Sequence, residues 1–292
     1  MNTGCTRTGG YRIGFRRGWS DWQRDLPALA DWAKANGFAC LDVGNDGLDS
    51  IPQVVKAGIA VGTVDLGQWR ELISPDKAKR AAAVATQADY IRRCAVLGAK
   101  SFFVVMLPED AVRSRKENFG YMVESYAALA PTLEQSGAQV VIEGWPGPGA
   151  LCCTPESLRE FFKEVPSMAM GVNYDPSHLL RMGIDPIRFI HEFAARVGHV
   201  HGKDTEIFHE SLYDFGWEQS STLANGHPFG GHFWRYTIPG QGCMRWTEAL
   251  RVLVKAKYTG YISIELEDGN FNGSEAGEKD GLLLGKHFLE AC

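Results

Sequence analysis

The chain has 292 residues, 45% of them hydrophobic, enough to bury a large core at a length that fits either two small domains or one α/β barrel. Its formal net charge is -5 and Lys and Arg form no sustained run, which excludes a general nucleic-acid binder and points to a small neutral or weakly charged ligand. No stretch approaches the roughly 18 consecutive apolar residues of a membrane span, and the first fifteen residues hold no signal-peptide core, so the expected setting is cytoplasmic, with no membrane partner. Seven cysteines (Cys5, Cys40, Cys94, Cys152, Cys153, Cys243 and Cys292) are scattered without a C-x-x-C pair, and reduced thiols are the expectation.

Short apolar runs alternate with helix-period segments from end to end, the pattern of parallel strands joined by helices. The strands read YRIGF (11–15), FACLDVG (38–44), IAVGTVDL (59–66), KSFFVVML (100–107), AQVVIEGW (138–145), AMGVNYD (169–175), GHVHGKD (198–204) and GYISIELED (260–268). Gly37, Gly98, Gly137, Gly198 and Gly260 stand where helices are expected to stop, and Thr154 before Pro155 opens one. Eight repeats whose strands read as buried on both sides predict a closed (β/α)8 TIM barrel, with 1–292 as one domain. One connection differs. From 206 to 244 the chain is rich in Gly and aromatics without a helical period. It is expected to be a long loop over the active site, because it leaves from the end of strand seven, where barrel sites are built. Within it, Trp217, His227, Phe229, His232, Phe233, Trp234 and Arg235 would suit a lid over a ring-shaped or polyhydroxylated ligand.

Polar residues at the C-terminal ends of barrel strands point into the site. Strand five ends in Glu143, strand six in Asp175 with His178 just beyond, and strand eight carries Glu265 and Glu267 on one face. Burying isolated ionised carboxylates is costly, so converging acids need a cation among them. On strand seven, His199, His201 and Lys203 share the face opposite Val200. His201, nearer the catalytic end, is the ligand candidate, and His199, one layer deeper, is expected to be hydrogen-bonded beneath it. Three carboxylates and one imidazole suit one divalent ion, Mn2+ first, with Co2+ or Mg2+ as alternatives. The rims of strands two, three and four offer no histidine for a second.

Glu143 in VVIEGW, Asp175 and His178 in YDPSH, His201 in HVHGKD and Glu265 in ISIELED resemble the xylose-isomerase-like barrel superfamily. The match is to its branch of sugar (phosphate) isomerases and epimerases, which includes the D-tagatose and D-allulose 3-epimerases. The resemblance implies that Glu143, Asp175, His201 and Glu265 hold the metal, that Glu143 and Glu265 double as acid/base groups on opposite faces of the substrate, and that His178 contacts a substrate oxygen. Where the ketose epimerases carry HTGE followed by an Arg, this chain has HGKD and a longer loop. The corresponding sugar contacts are therefore expected from Lys203 and Arg235, with Trp234 and Trp145 beside them.

The chemistry expected of this set is ketose 3-epimerisation through an enediolate, one carboxylate taking a proton beside the carbonyl and the other returning one to the opposite face. The same proton abstraction can instead expel a leaving group, so a lyase or glycosidic-bond-cleaving enzyme acting on 3-oxo sugars is the alternative. A non-catalytic sugar-binding subunit is a third reading, and a DNA-repair nuclease is disfavoured by the acidic charge and missing histidines. The expected partner is a small-molecule sugar, and a homo-oligomer is left open.

Overall fold

The computed structural model describes residues 10–292; Cys5 lies outside the described residues. In chain order the elements are β1 (Arg12–Arg16), α1 (Leu26–Ala35), β2 (Cys40–Val43), α2 (Gly47–Lys56), β3 (Ala60–Asp65), α3 (Lys77–Val96), β4 (Ser101–Val105), α4 (Arg115–Gln135), β5 (Gln139–Glu143), α5 (Pro155–Glu164), β6 (Met170–Tyr174), α6 (Pro176–Arg181), α7 (Pro186–Phe193), β7 (Val197–Gly202), β8 (Asp204–Ile207), α8 (His209–Phe215), β9 (Trp234–Thr237), α9 (Trp246–Lys255), β10 (Tyr261–Ile264) and α10 (Glu275–Ala291). Eight strands close into a barrel in the order β1-β10-β7-β6-β5-β4-β3-β2, so the fold is the expected TIM barrel.

The chain packs as two compact units: the described residues to Cys40 with Asp175–Ala194 and Val200–Cys292, and Leu41–Tyr174 with Ala195–His199. In the second unit every residue of β4 and β6 is buried, the signature of strands covered on both faces. Parallel register sets Val105 beside Glu143 and Glu143 beside Asn173. In the first unit, β10 lies between β1 and β7, with Ser263 paired to His201 and Ile264 to Gly202.

Helix starts follow from short polar caps. Asp25, Asp76, Ser114, Thr154, Asp175, Asp185 and Ser274 each accept a backbone N–H from the first turn of the helix they precede. Gly37, Gly98 and Gly137 take the left-handed conformation just past helix ends, as expected. Gly198 and Gly260 do not act as stops. Gly198 lies inside β7, where a Cβ would strike the Gln139 amide at 2.4 Å, and α9 ends earlier, with Lys257 taking the left-handed conformation at φ 60°.

The segment 206–244 is also more ordered than its composition suggests. It contains α8, and β9 returns to pair antiparallel with β8, placing Asp204 opposite Thr237 and Ile207 opposite Trp234. Seven helical and four extended residues are too few to reveal a period, which is why the sequence reads as loop. Buried Asp204 closes its base: Oδ1 accepts from Thr205 N at 2.8 Å and Met244 N at 2.9 Å, and Oδ2 from Gly240 N and Trp246 Nε1 at 3.2 Å each. Burial pushes this carboxyl above its ordinary range, partly offset by those four donors.

Candidate functional site

Asp175 ends the run of β6 and caps α6, and the cap fixes how its carboxylate faces. Oδ1 accepts from Ser177 N at 2.9 Å and Ser177 Oγ at 2.6 Å, while Oδ2 accepts no hydrogen bond. Around Oδ2 stand His178 Nε2 at 3.4 Å, Lys203 Nζ at 3.3 Å and His201 Nδ1 at 3.8 Å. Glu265, just past β10, brings Oε2 to 3.4 Å from His201 Nδ1 and into contact with the Lys203 ammonium. Asp175, His178 and Glu265 each offer a ligand atom within 4.8 Å of the others.

The electrostatics of Glu265 follow from these neighbours. Burial alone would raise its carboxyl, but Lys203, His201 and Arg16, whose Nε lies 3.3 Å from Oε1, hold it well below the usual carboxylate range. Lys203, 1% exposed, also reaches Glu267 Oε2 at 3.0 Å and sits 4.4 Å from the centre of the Tyr236 ring. It thus supplies one positive charge among three carboxylates. His178 Nδ1 lies 2.7 Å from the Tyr236 hydroxyl oxygen, which also accepts from Arg181. With Arg181 supplying a proton to that oxygen, the phenol proton turns to Nδ1, which favours a hydrogen on Nε2 facing Asp175. Burial also drives the Tyr236 hydroxyl well above its ordinary range, so it remains a neutral phenol.

In the other unit, Glu143 is buried at the end of β5, and Asn173 Nδ2 donates to its Oε2 at 2.9 Å. His199 Nε2 meets Asp42 Oδ2 at 2.9 Å, and Asp42 Oδ1 accepts from Thr63 N, a hydrogen-bonded pair of the kind expected one layer down. A divalent cation suits this donor chemistry: buried carboxylates and imidazoles, with an unbonded oxygen on Asp175.

Beside Glu265 opens a cavity of about 440 Å³, lined by Arg16, Arg17, Trp19, Phe229, Glu265 and Glu267 among others. The expected sugar contacts lie as follows. The Trp234 ring is 4.5 Å from the Arg181 guanidinium and 4.8 Å from the Tyr236 ring, and Arg235 pairs with Glu206 at 2.7 Å and Asp268 at 3.5 Å. Trp145, half-buried, packs on a core cluster that includes Phe103, Val141 and Cys153. Sequence reasoning missed Arg16, Tyr236 and Arg181. Arg16 is the last residue of β1 and obeys the same rim rule as Glu143; Tyr236 shares one face of β9 with Trp234, a period visible only once the strand is known.

A protein from Bacillus subtilis (strain 168) called YfiH is 34% identical over 120 residues, 40% of this chain and 37% of that protein. An inosose dehydratase from Clostridium beijerinckii is 25% identical over 152 residues, 52% of this chain and 48% of that protein. The matched stretches therefore span less than half of either relative. Among solved structures, 3-keto-D-glucoside 4-epimerase YcjR from E. coli superposes with a TM-score of 0.72 at 16% identity, covering 97% of this chain and 100% of that one. D-psicose 3-epimerase from Clostridium cellulolyticum H10 gives 0.70 at 16% identity, covering 96% and 100%. At such identities the likeness speaks for the fold. The sequence pattern of one family runs through residues 16–290, almost end to end: the chain belongs to the xylose isomerase-like TIM barrel family.

Proposed function

We propose that this chain is a divalent-metal-dependent sugar isomerase or epimerase, most simply a ketose 3-epimerase, working by proton transfer on two faces of the substrate. The observation that carries the reading is the convergence of buried Asp175, His178 and His201 with Glu265 around one carboxylate oxygen that accepts no hydrogen bond. Asp175, His201 and Glu265, with Glu143, would hold the ion. When bound, a divalent ion, Mn2+ by its fit to carboxylates and imidazole, supplies Lewis-acid polarisation of a sugar carbonyl.

The chain's own groups then divide the work. Glu265, at the rim beside His201, Lys203 and Arg16, is placed to take the proton from the carbon beside the carbonyl. Glu143, oriented by Asn173, is the partner that returns a proton to the opposite face. His178, locked by Tyr236, offers its Nε2 hydrogen to a substrate oxygen. Relatives named as epimerases support this reading.

A second reading, elimination from a 3-oxo sugar, is favoured by one feature: the Lys203 ammonium touching both Glu265 and Glu267, a proton source for a departing oxygen. Relatives named inosose dehydratase lend it support. One experiment separates the two. The purified protein is assayed for metal, stripped with chelator, reloaded with Mn2+, and incubated in heavy water with a panel of ketoses and 3-oxo-glycosides. Epimer carrying one deuterium beside the carbonyl is expected. Released aglycone or an unsaturated product would install the elimination reading, and full activity after exhaustive chelation would overturn both.

A further inference from the structure

α6 and β9 meet through two side chains apiece. His178 and Arg181 stand three residues apart in α6, which puts them on one face of the helix, and Trp234 and Tyr236, two apart in β9, share one face of the strand. The Tyr236 hydroxyl touches both helix residues: Arg181 Nη1 donates to it at 2.8 Å, and His178 Nδ1 lies 2.7 Å away. The Arg181 guanidinium in turn lies over the Trp234 ring, 4.5 Å from its centre.

Counting hydrogens fixes the sense of this chain of contacts. Arg181 can only donate, so it occupies one lone pair of the Tyr236 oxygen. Were Nδ1 to donate as well, the phenol hydrogen would need a third group. Among the described residues this buried hydroxyl meets no other. The phenol hydrogen therefore points to Nδ1, and the one hydrogen of a neutral imidazole is at Nε2. The two rings meet edge to face, 5.3 Å between centres and 79° between planes, and Lys203 Nζ stands 4.4 Å from the centre of the Tyr236 ring.

We propose that Arg181, aligned by Trp234, is a positioning residue that acts through Tyr236 to keep His178 a hydrogen-bond donor at Nε2. This rests on the reading of His178 as the group that meets a substrate oxygen. An imidazole whose Nδ1 already accepts a hydrogen has no basic nitrogen left for substrate, so His178 binds and polarises an oxygen and leaves proton abstraction to the carboxylates. Trp234, expected from the sequence to touch the sugar, works at one remove, by fixing the guanidinium at the head of the relay.

Long-range proton–nitrogen spectra of the full chain, with nitrogen-15 in its histidines, read which nitrogen of His178 carries hydrogen. The ion loaded is Mg2+, because paramagnetic Mn2+ would broaden the signals, and His178→Gln identifies them. The Nε2–H form is expected to dominate in the parent. Tyr236→Phe keeps the ring and loses only the hydroxyl, and the ratio of Nε2–H to Nδ1–H forms should fall about tenfold, the worth of one buried hydrogen bond. Arg181→Met should lower the ratio about threefold, since it weakens that bond without removing it. Arg181→Lys, which can still donate, should restore it. Arg181→Met combined with Tyr236→Phe should read the same as Tyr236→Phe alone, whereas a residue that merely supports the fold would add its own effect. Trp234→Ala should shift the ratio in the same direction as Arg181→Met, and it carries the test if Arg181→Met does not fold. A dominant Nδ1–H form in the parent, a ratio unmoved by Tyr236→Phe or by Arg181→Met, or an Arg181→Met effect that persists undiminished beside Tyr236→Phe would overturn the proposal. None of these readings needs turnover, so the outcome is independent of whether deuterium exchange or elimination is found.

Discussion

Glu278→Ala should destabilise the protein by about 4 kcal/mol, a figure that comes from its bonding. The carboxylate, 3% exposed, accepts from Ser20 Oγ, Trp22 Nε1 and Gln23 Nε2. After truncation the Ser20 hydroxyl can turn to water, but the indole and the buried Gln23 amide are left without an acceptor, at about 1–3 kcal/mol each. Glu278→Gln keeps the shape and one acceptor oxygen and exchanges charged for neutral hydrogen bonds, so it should lose about half as much. Urea unfolding at pH 7 reads this directly: with a slope near 3 kcal/mol per M, the alanine variant's midpoint falls by a little over 1 M. The pH dependence gives a second reading. Burial would raise the Glu278 carboxyl, yet the donors from Ser20, Trp22 and Gln23 overcome it and hold it below its ordinary value. A carboxyl depressed in the folded state contributes its stability above the unfolded pKa of about 4.3 and loses it as pH falls through the lower folded value. The gap between the parent and Glu278→Gln should therefore be full at pH 7 and shrink on acidification below about pH 4. A gap under about 0.5 kcal/mol, or one that does not change with pH, would refute the reasoning.

His201→Ala should abolish Mn2+ retention, while His199→Ala, which loses only its bond to Asp42, should keep most of it; equal loss by metal analysis would contradict the division between them. Trp234→Ala should lower turnover and leave metal content near that of the parent, because it removes the ring over Arg181 and no ligand; metal loss would place β9 among the metal contacts. Arg235→Ala should lower turnover in the same way, by freeing Glu206 and Asp268 from the guanidinium. Gly14→Ala should cost about 3 kcal/mol or prevent folding, since its Cβ would meet Cys40 Sγ at 2.2 Å and the Cys40 carbonyl oxygen at 2.5 Å; a thermal midpoint equal to the parent's would count against that contact.

How much of this was legible depended on what each residue must satisfy. All eight barrel strands were readable because a strand covered on both faces must be apolar throughout, as Phe102, Phe103 and Val104 are in β4. Asp175, His178, His201, Lys203 and Glu265 stood out for the complementary reason, as polar residues where apolar ones belong, and the structure brings those five together. Arg16 was lost because strand one was cut one residue short, so its rim position went unnoticed. Gly198 was misread because a glycine beside a strand can mark close approach as well as a helix end; here Gln139 is what needs the space. The contacts of Arg235 could not be read at all. They depend on Glu206 and Asp268, and only the antiparallel return of β9 brings Arg235 to the first of these.

Asp204 has a consequence for how this barrel can change over generations. Its carboxylate ties Thr205, at the outgoing end of the excursion, to Gly240, Met244 and Trp246 at the returning end, so the excursion has a fixed stem. Lengthening a closed flexible loop is cheap, about 0.6 kcal/mol for each doubling. Residues 217–226 at its far end are almost all exposed and take no part in the stem. The tip is therefore a cassette: it can be lengthened, shortened or exchanged with that of a related barrel at small energetic cost, while Asp175 and Glu265, just past β6 and β10, stay where they are.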